Sequence, residues 1–154
     1  MTGDSAVDPV PDGFRIHHVV EQVDTDDSGV VHFSRHPSLV ESALLRGLAA
    51  RGGGMLELRA LGLVLVVSRL RVSYHAPARF LDRLEVSAAV RDVGAVQCRA
   101  SGTVVRRSGD GPPLLLSRTE LVFGAVDAET GEPAALPAAI RHAILADPTP
   151  QGRG

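Results

Sequence analysis

The chain has 154 residues, 44% apolar and 22% charged, which suits one globular domain and excludes a disordered or fibrous protein. Sixteen basic and eighteen acidic residues leave a formal charge of −2, so no basic footprint marks a nucleic-acid binder. The single cysteine, Cys98, rules out an intrachain disulfide framework and a cysteine-built structural zinc site. The longest apolar run, 61–67, falls far short of the ~18 residues of a membrane span. The acidic, proline-bearing N-terminus lacks a charged-then-apolar leader pattern, so a cytoplasmic protein is expected. Every basic residue is arginine. High-GC codon usage is a sufficient cause, although clustered arginines also grip phosphate better than lysines do.

Residues 1–12 and 147–154 are polar, proline-bearing and aperiodic, which predicts a flexible arm and tail around a folded body at 13–146. Phe14, Ile16, His18 and Val20 alternate with Arg15, His17 and Glu21, the period of a half-buried strand. An acidic turn, DTDDSG at 24–29, leads through Val30, Val31 and His32 to Phe33. Leu39, Val40, Ala43, Leu44, Gly47 and Leu48 then recur at helical spacing and predict one long internal helix, closed by Gly52, Gly53 and Gly54. Ser34 is the expected N-cap, which puts Pro37 in the first turn, where its missing N–H loses no bond. Ser38 with Glu41 also forms a capping-box pattern that would start the helix four residues later. Glu41 is expected at the edge of the apolar stripe, facing inward or nearly so.

Residues 61–76 predict the longest strand, with Val64, Val66, Leu70, Val72 and Tyr74 sharing one face throughout. The other face is apolar at first (Leu61, Leu63, Leu65, Val67) and then polar (Arg69, Arg71, Ser73, His75). Strands at 84–91, 95–106 and 114–126 continue the alternation, with turn signals at 92–94 and 108–113, and 136–145 reads as a short terminal helix. One strand, a helix and four strands predict an α+β fold with a single helix for an antiparallel sheet to wrap. Cys98 alternates with Val96 and Ala100 and is expected in the core. The three glycines at 52–54 lack the spacing of a nucleotide-binding loop.

Three segments together resemble a known family. DTDDSGVVHFSRHPSLVESA (24–43) is similar, without gaps, to the DTDAGGVVY…ERA signature of hotdog-fold acyl-CoA thioesterases of the 4-hydroxybenzoyl-CoA thioesterase family. VVSRLRVSYHAPARFLDRLEV (66–86) resembles their second signature, VVRRMTVEYxxPARxxDxLEV, and AVDAETGEPAALPAAI (125–140) resembles their closing strand and helix. The resemblance implies a hotdog fold, a five-stranded antiparallel sheet wrapped around one long helix. It also implies a homodimer or tetramer with active sites at the dimer interface, an acyl-CoA or acyl-carrier-protein substrate, and no metal or redox cofactor. The likeness departs at 32–37. One branch carries Tyr-His where this chain has His32-Phe33, and His36 and Pro37 replace apolar or aromatic helix residues, so the mouth of the pocket differs and the substrate does not carry over.

By resemblance, Asp26 holds the position of the catalytic carboxylate, the second Asp of the DTD signature. Thioester hydrolysis needs a nucleophile or a base for water, plus donors for the developing oxyanion. A carboxylate on a turn feeding a helix meets the first need; the helix N-terminal amides of Phe33 and Ser34 meet the second. Composition alone also allows a solvated acidic turn. A calcium loop fails, because Arg35 would stand where a bidentate Glu is needed and a strand, not a helix, precedes the turn. His32 and His36 are candidate substrate-side donors, Glu41 a candidate for holding the turn, and Arg69, Arg71 and Arg79 candidates for CoA phosphates or an acidic carrier protein.

Some hotdog proteins release polyketide chains from carrier proteins in natural-product pathways. An enediyne subgroup replaces the acid with a helix arginine, but here the carboxylate is present and the helix position is Leu44. The alternatives are a hotdog protein that binds acyl thioesters without turnover and a dehydratase of 3-hydroxyacyl thioesters. The dehydratase reading ranks lower because His32 and Glu41 are too close in sequence for that motif.

Overall fold

The computed structural model describes residues 14–145. The expected arm at 1–12 and tail at 147–154 lie outside the described residues. Strand β1 (Phe14–Val19) leads through a 3-10 turn (Gln22–Asp24) and the acidic loop to helix α1 (Arg35–Ala50), and a short helix α2 (Met55–Ala60) follows. Strands β2 (Leu63–Tyr74), β3 (Arg83–Val93), β4 (Gln97–Arg106) and β5 (Leu114–Asp127) form the long part of the sheet, followed by β6 (Pro133–Ala134) and helix α3 (Ala138–Leu145). The sheet order is β1-β3-β4-β5-β2, every pairing antiparallel, with β6 on β5. The α+β expectation holds, with two short elements added. Six residues of α2 and two of β6 are too few to show a period, so neither announces itself in the sequence.

Helix α1 buries His36, Leu39, Val40, Ala43, Leu44, Gly47 and Leu48 against one face of the sheet. The facing residues are the alternate ones of each strand: Ile16 on β1, Val86 on β3, Val104 on β4, and Leu121 and Phe123 on β5. Two glycines permit the close approach. A Cβ at Gly102 would lie 2.4 Å from Val40 Cγ1 and 2.6 Å from the Ser87 carbonyl; one at Gly47 would lie inside the Phe14 ring. Ser34 is the N-cap position and Pro37 the third helical residue. The cap differs in kind from the expected one, because Ser34 Oγ makes no capping bond and sits 2.7 Å from His32 Nδ1.

The expectation that Val64 through Tyr74 share one face fails at a β-bulge. Val67 pairs with Phe123 and Arg69 with Val122, so Ser68 is an extra residue and the facing parity flips there. Leu63, Leu65 and Val67 face α1 before the bulge, and Leu70, Val72 and Tyr74 after it. Strict alternation cannot reveal this, because one inserted residue moves every later side chain to the other face. Strand β2 is also an edge of the sheet and leaves Val66, Val67, Leu70 and Tyr74 exposed.

Candidate active site

The acidic loop is built around Asp24, whose carboxylate is buried and fully engaged. Oδ2 accepts from the Glu21 amide at 2.8 Å and faces His18 Nε2 at 2.7 Å, while Oδ1 accepts from Arg35 Nε at 2.9 Å. Burial pushes this carboxyl up, but the Glu21 amide, His18 and Arg35 outweigh it and hold it below its ordinary range. The His32 amide donates to the Asp24 carbonyl at 2.8 Å, so Asp24 ties β1, the loop and the first turn of α1 together.

Asp26 lies on the exposed side of the same loop. Its amide donates to the Val30 carbonyl at 2.9 Å, and Gly29 takes φ 81°, the left-handed conformation that closes the turn. The carboxylate accepts from the Ser28 amide at 2.8 Å and the Ser28 hydroxyl at 2.5 Å. These bonds, the hydroxyl first, hold Asp26 below the usual carboxylate range. It is therefore ionised at neutral pH, as a nucleophile or a general base must be. Asp27 is exposed. The loop rests on the second signature: Val30 bridges Arg79, the Val31 amide donates to the Ala78 carbonyl at 2.8 Å, and Asp82 caps the Arg79 amide at 2.8 Å. The two signatures belong together because their backbones pair.

At the start of α1, the Phe33 amide has no acceptor among the described residues, whereas the Ser34 amide donates to His32 Nδ1 at 3.2 Å. Of the two expected oxyanion donors, Phe33 is the one left open. The same Nδ1 lies 2.7 Å from Ser34 Oγ, so His32 and Ser34 hold each other at the helix start. Arg35 N donates to the His32 carbonyl at 2.9 Å and the Tyr74 hydroxyl donates to the Phe33 carbonyl at 2.6 Å, so the peptide planes on both sides of Phe33 are fixed.

His36, expected at the mouth of the pocket, lies under the helix instead. It is buried, with Nδ1 2.8 Å from Ser117 Oγ on β5 and its ring edge-on to Tyr74. It stands on the helix face that meets the sheet, and burial pushes its imidazole pKa down. Glu41 is exposed rather than inward, at the edge of a groove of about 400 Å³ between α1 and strands β2 and β5. Ser34 and Ser38 stand at this groove, whose walls are Leu44, Leu65, Val67 and Phe123. Within one chain, Asp26 does not line it. Arg79 is exposed beside the acidic loop, but Arg69 and Arg71 follow the bulge onto the sheet face turned away from α1. The sequence reading missed Tyr74 and Arg35. The signal for Tyr74 was its place at the end of the helix-facing row of β2; nothing in the sequence marked Arg35 as the partner of Asp24.

An antiparallel sheet in the order β1-β3-β4-β5-β2 wrapped on one long helix, with an acidic loop feeding that helix, defines the hotdog class. Residues 20–144 match the family model of the thioesterase-like superfamily, and the chain belongs to that superfamily. The acyl-CoA thioester hydrolase YbgC of Escherichia coli is 28% identical over 117 residues, covering 76% of this chain and 84% of that protein. Among solved structures, Slr0204, a 1,4-dihydroxy-2-naphthoyl-CoA thioesterase from Synechocystis, superposes with a TM-score of 0.75 at 22% identity, covering 86% of this chain and 95% of that one. The dynemicin thioesterase superposes with a TM-score of 0.74 at 26% identity over 86% and 94% of the two chains. Among the described residues, no helix is long and apolar enough to cross a membrane.

Proposed function

We propose that this protein is a thioester hydrolase acting on acyl-CoA, with Asp26 as its catalytic carboxylate. The observation that carries the reading is an ionised, exposed carboxylate on the loop leading to a helix N-terminus whose Phe33 amide is open. Membership of the thioesterase-like superfamily and the similarity to YbgC support the substrate class. In the general-base route, Asp26 takes a proton from water as the water oxygen attacks the thioester carbonyl. The oxyanion forms against the Phe33 amide, and collapse expels the thiolate, which regains the proton. In the nucleophilic route, Asp26 attacks the carbonyl and expels the thiolate. Water then opens the resulting anhydride, regenerating the carboxylate and releasing the acid.

Two chains are proposed to complete the site. Asp26 lies outside its own chain's groove, and β2 offers an edge with exposed apolar residues that a second copy would cover. Arg79, beside the loop, is proposed to meet the phosphopantetheine or nucleotide end of the substrate. An acyl-carrier-protein substrate in a polyketide pathway is the second reading, favoured by the likeness to the dynemicin thioesterase.

The test is thiol release from a panel of aromatic and aliphatic acyl-CoAs and from acyl-carrier proteins, with Asp26→Asn alongside. Loss of general-base catalysis is expected to lower turnover by about 10²–10⁴-fold. Equal release by both proteins would remove Asp26 from the mechanism. Label in Asp26 after single-turnover hydrolysis in ¹⁸O-water identifies the nucleophilic route, because it enters only when an anhydride forms and is opened at the Asp26 carbonyl. A molecular mass equal to one chain in solution would refute the shared site.

A further inference from the structure

The sheet face turned away from α1 carries a second concavity, of about 340 Å³, lined by none of the residues of the acidic loop or of the start of α1. It is lined by Arg69 and Arg71 from β2, Glu120 from β5, Arg99 and Ser101 from β4, and Arg91 from β3. Four guanidinium groups face Glu120 in the lining and Asp92 opposite Arg99 in the β3–β4 register, which leaves two positive charges in excess in a chain whose overall charge is −2. At the other end of the same face two arginines share a carboxylate: Arg107 bonds Glu85 at 2.7 Å and Arg15 lies 3.5 Å from it. In the concavity the side chains of Arg69, Arg71 and Arg99 form no hydrogen bond or ion pair among the described residues, and the Glu120 carboxylate makes no ion pair with any of them. Solubility alone would intersperse the two signs of charge.

Two details shape the ligand. Arg91 is the bulged residue of β3, between Val90 and Asp92, and its Nε donates to Ser101 Oγ at 2.7 Å. That bond aims the guanidinium and leaves the Ser101 hydroxyl hydrogen to donate outward. The arginines also come from separate strands: β2 and β3 are three inter-strand spacings apart in the order β3-β4-β5-β2, about 14 Å. A single phosphate reaches one bank, whereas two linked phosphates with an attached nucleoside reach both. Planar guanidinium groups match phosphate oxygens bidentately, and the volume is that of a small-molecule site.

We propose that this concavity binds a ligand carrying two or more phosphates, of the kind found in a nucleoside diphosphate or in the nucleotide end of coenzyme A. The proposal stands apart from the hydrolytic reading, because binding is measured without turnover. Calorimetric titration of the full chain with pyrophosphate and with ADP is expected to show saturable binding of one ligand per chain, tighter than inorganic phosphate and weakened by salt. The double variant Arg91→Ser, Arg99→Ser is expected to lose at least ten-fold in affinity. Arg46→Ser, on the exposed side of α1, is expected to bind as the parent does, and thermal melts confirm that both variants fold. No saturable binding of pyrophosphate or ADP to the parent chain, or equal affinity in the double variant, would overturn the proposal. Desulfo-CoA identifies the source. Displacement of ADP, with a raised KM for acyl-CoA in the double variant, assigns the site to the substrate's own nucleotide. ADP binding that persists under saturating desulfo-CoA assigns it to a free nucleotide, and either result keeps the site.

Discussion

Replacing Asp24 by Asn tests whether the acidic loop is organised by a buried charge. The Asp24 side chain is 2% exposed, against 23% for His18 and 36% for Arg35. Asn preserves the shape but offers one acceptor oxygen where Asp24 has two. With that oxygen toward Arg35, the amide nitrogen faces the Glu21 N–H, donor against donor; the opposite rotamer sets it against Arg35. Either choice forfeits charge-assisted bonds worth roughly 1.5–3 kcal/mol each, discounted for the partly exposed Arg35. A destabilisation of about 2–4 kcal/mol follows, or roughly 10 °C in Tm for a domain of this size.

The pH dependence carries the sign. The folded Asp24 carboxyl sits below its unfolded value, so its stabilisation is complete above about pH 4 and is lost as pH falls through the folded pKa. Melting curves of parent and variant should therefore be parallel between pH 5 and pH 8 in this assay and converge in acid. A gap below about 2 °C at pH 7, or one that persists undiminished at about pH 2, would refute the reasoning.

Three further outcomes follow from the geometry. Tyr74→Phe removes the 2.6 Å bond to the Phe33 carbonyl and leaves the peptide after Phe33 held only by the Ser34 amide, which loosens the residue carrying the open amide, so steady-state assays should show about a ten-fold lower kcat with KM nearly unchanged. Gly102→Ala sets a Cβ 2.6 Å from the backbone oxygen of Ser87, and overpacking of about 2–3 kcal/mol should outweigh the ~0.5–1 kcal/mol gained by replacing a strand glycine, which a urea midpoint reads directly. His36 is buried with its pKa pushed down, so the unfolded chain takes up its proton first; stability should decline as pH falls below about 6.5, and His36→Gln should flatten that slope in denaturant titrations.

The side-chain periods alone place the five long strands, and the spacing of Leu39, Leu44 and Leu48 places α1 with Ser34 at its start. These signals survive in the sequence because each element must bury one face, and that requirement writes a period of 2 or 3.6. The acidic loop was legible for a related reason: aspartate, serine and glycine at 26–29 satisfy a turn locally, and the helix begins a few residues later. Its neighbours were not legible. Ser68 inverts the facing of the second half of β2, which carries Arg69 and Arg71 onto the outer sheet face and Tyr74 onto the Phe33 carbonyl. His36 reads as a polar residue near a helix start, yet the helix packs it against Ser117, 81 positions away. A buried polar group takes whatever partner the fold brings within 3 Å, and that partner is chosen by how helix and sheet dock. Local pattern therefore determined which segments are strand, helix and loop. Tertiary packing alone decided which side chains meet at the candidate site, because those meetings depend on one inserted residue and on contacts between segments far apart in the chain.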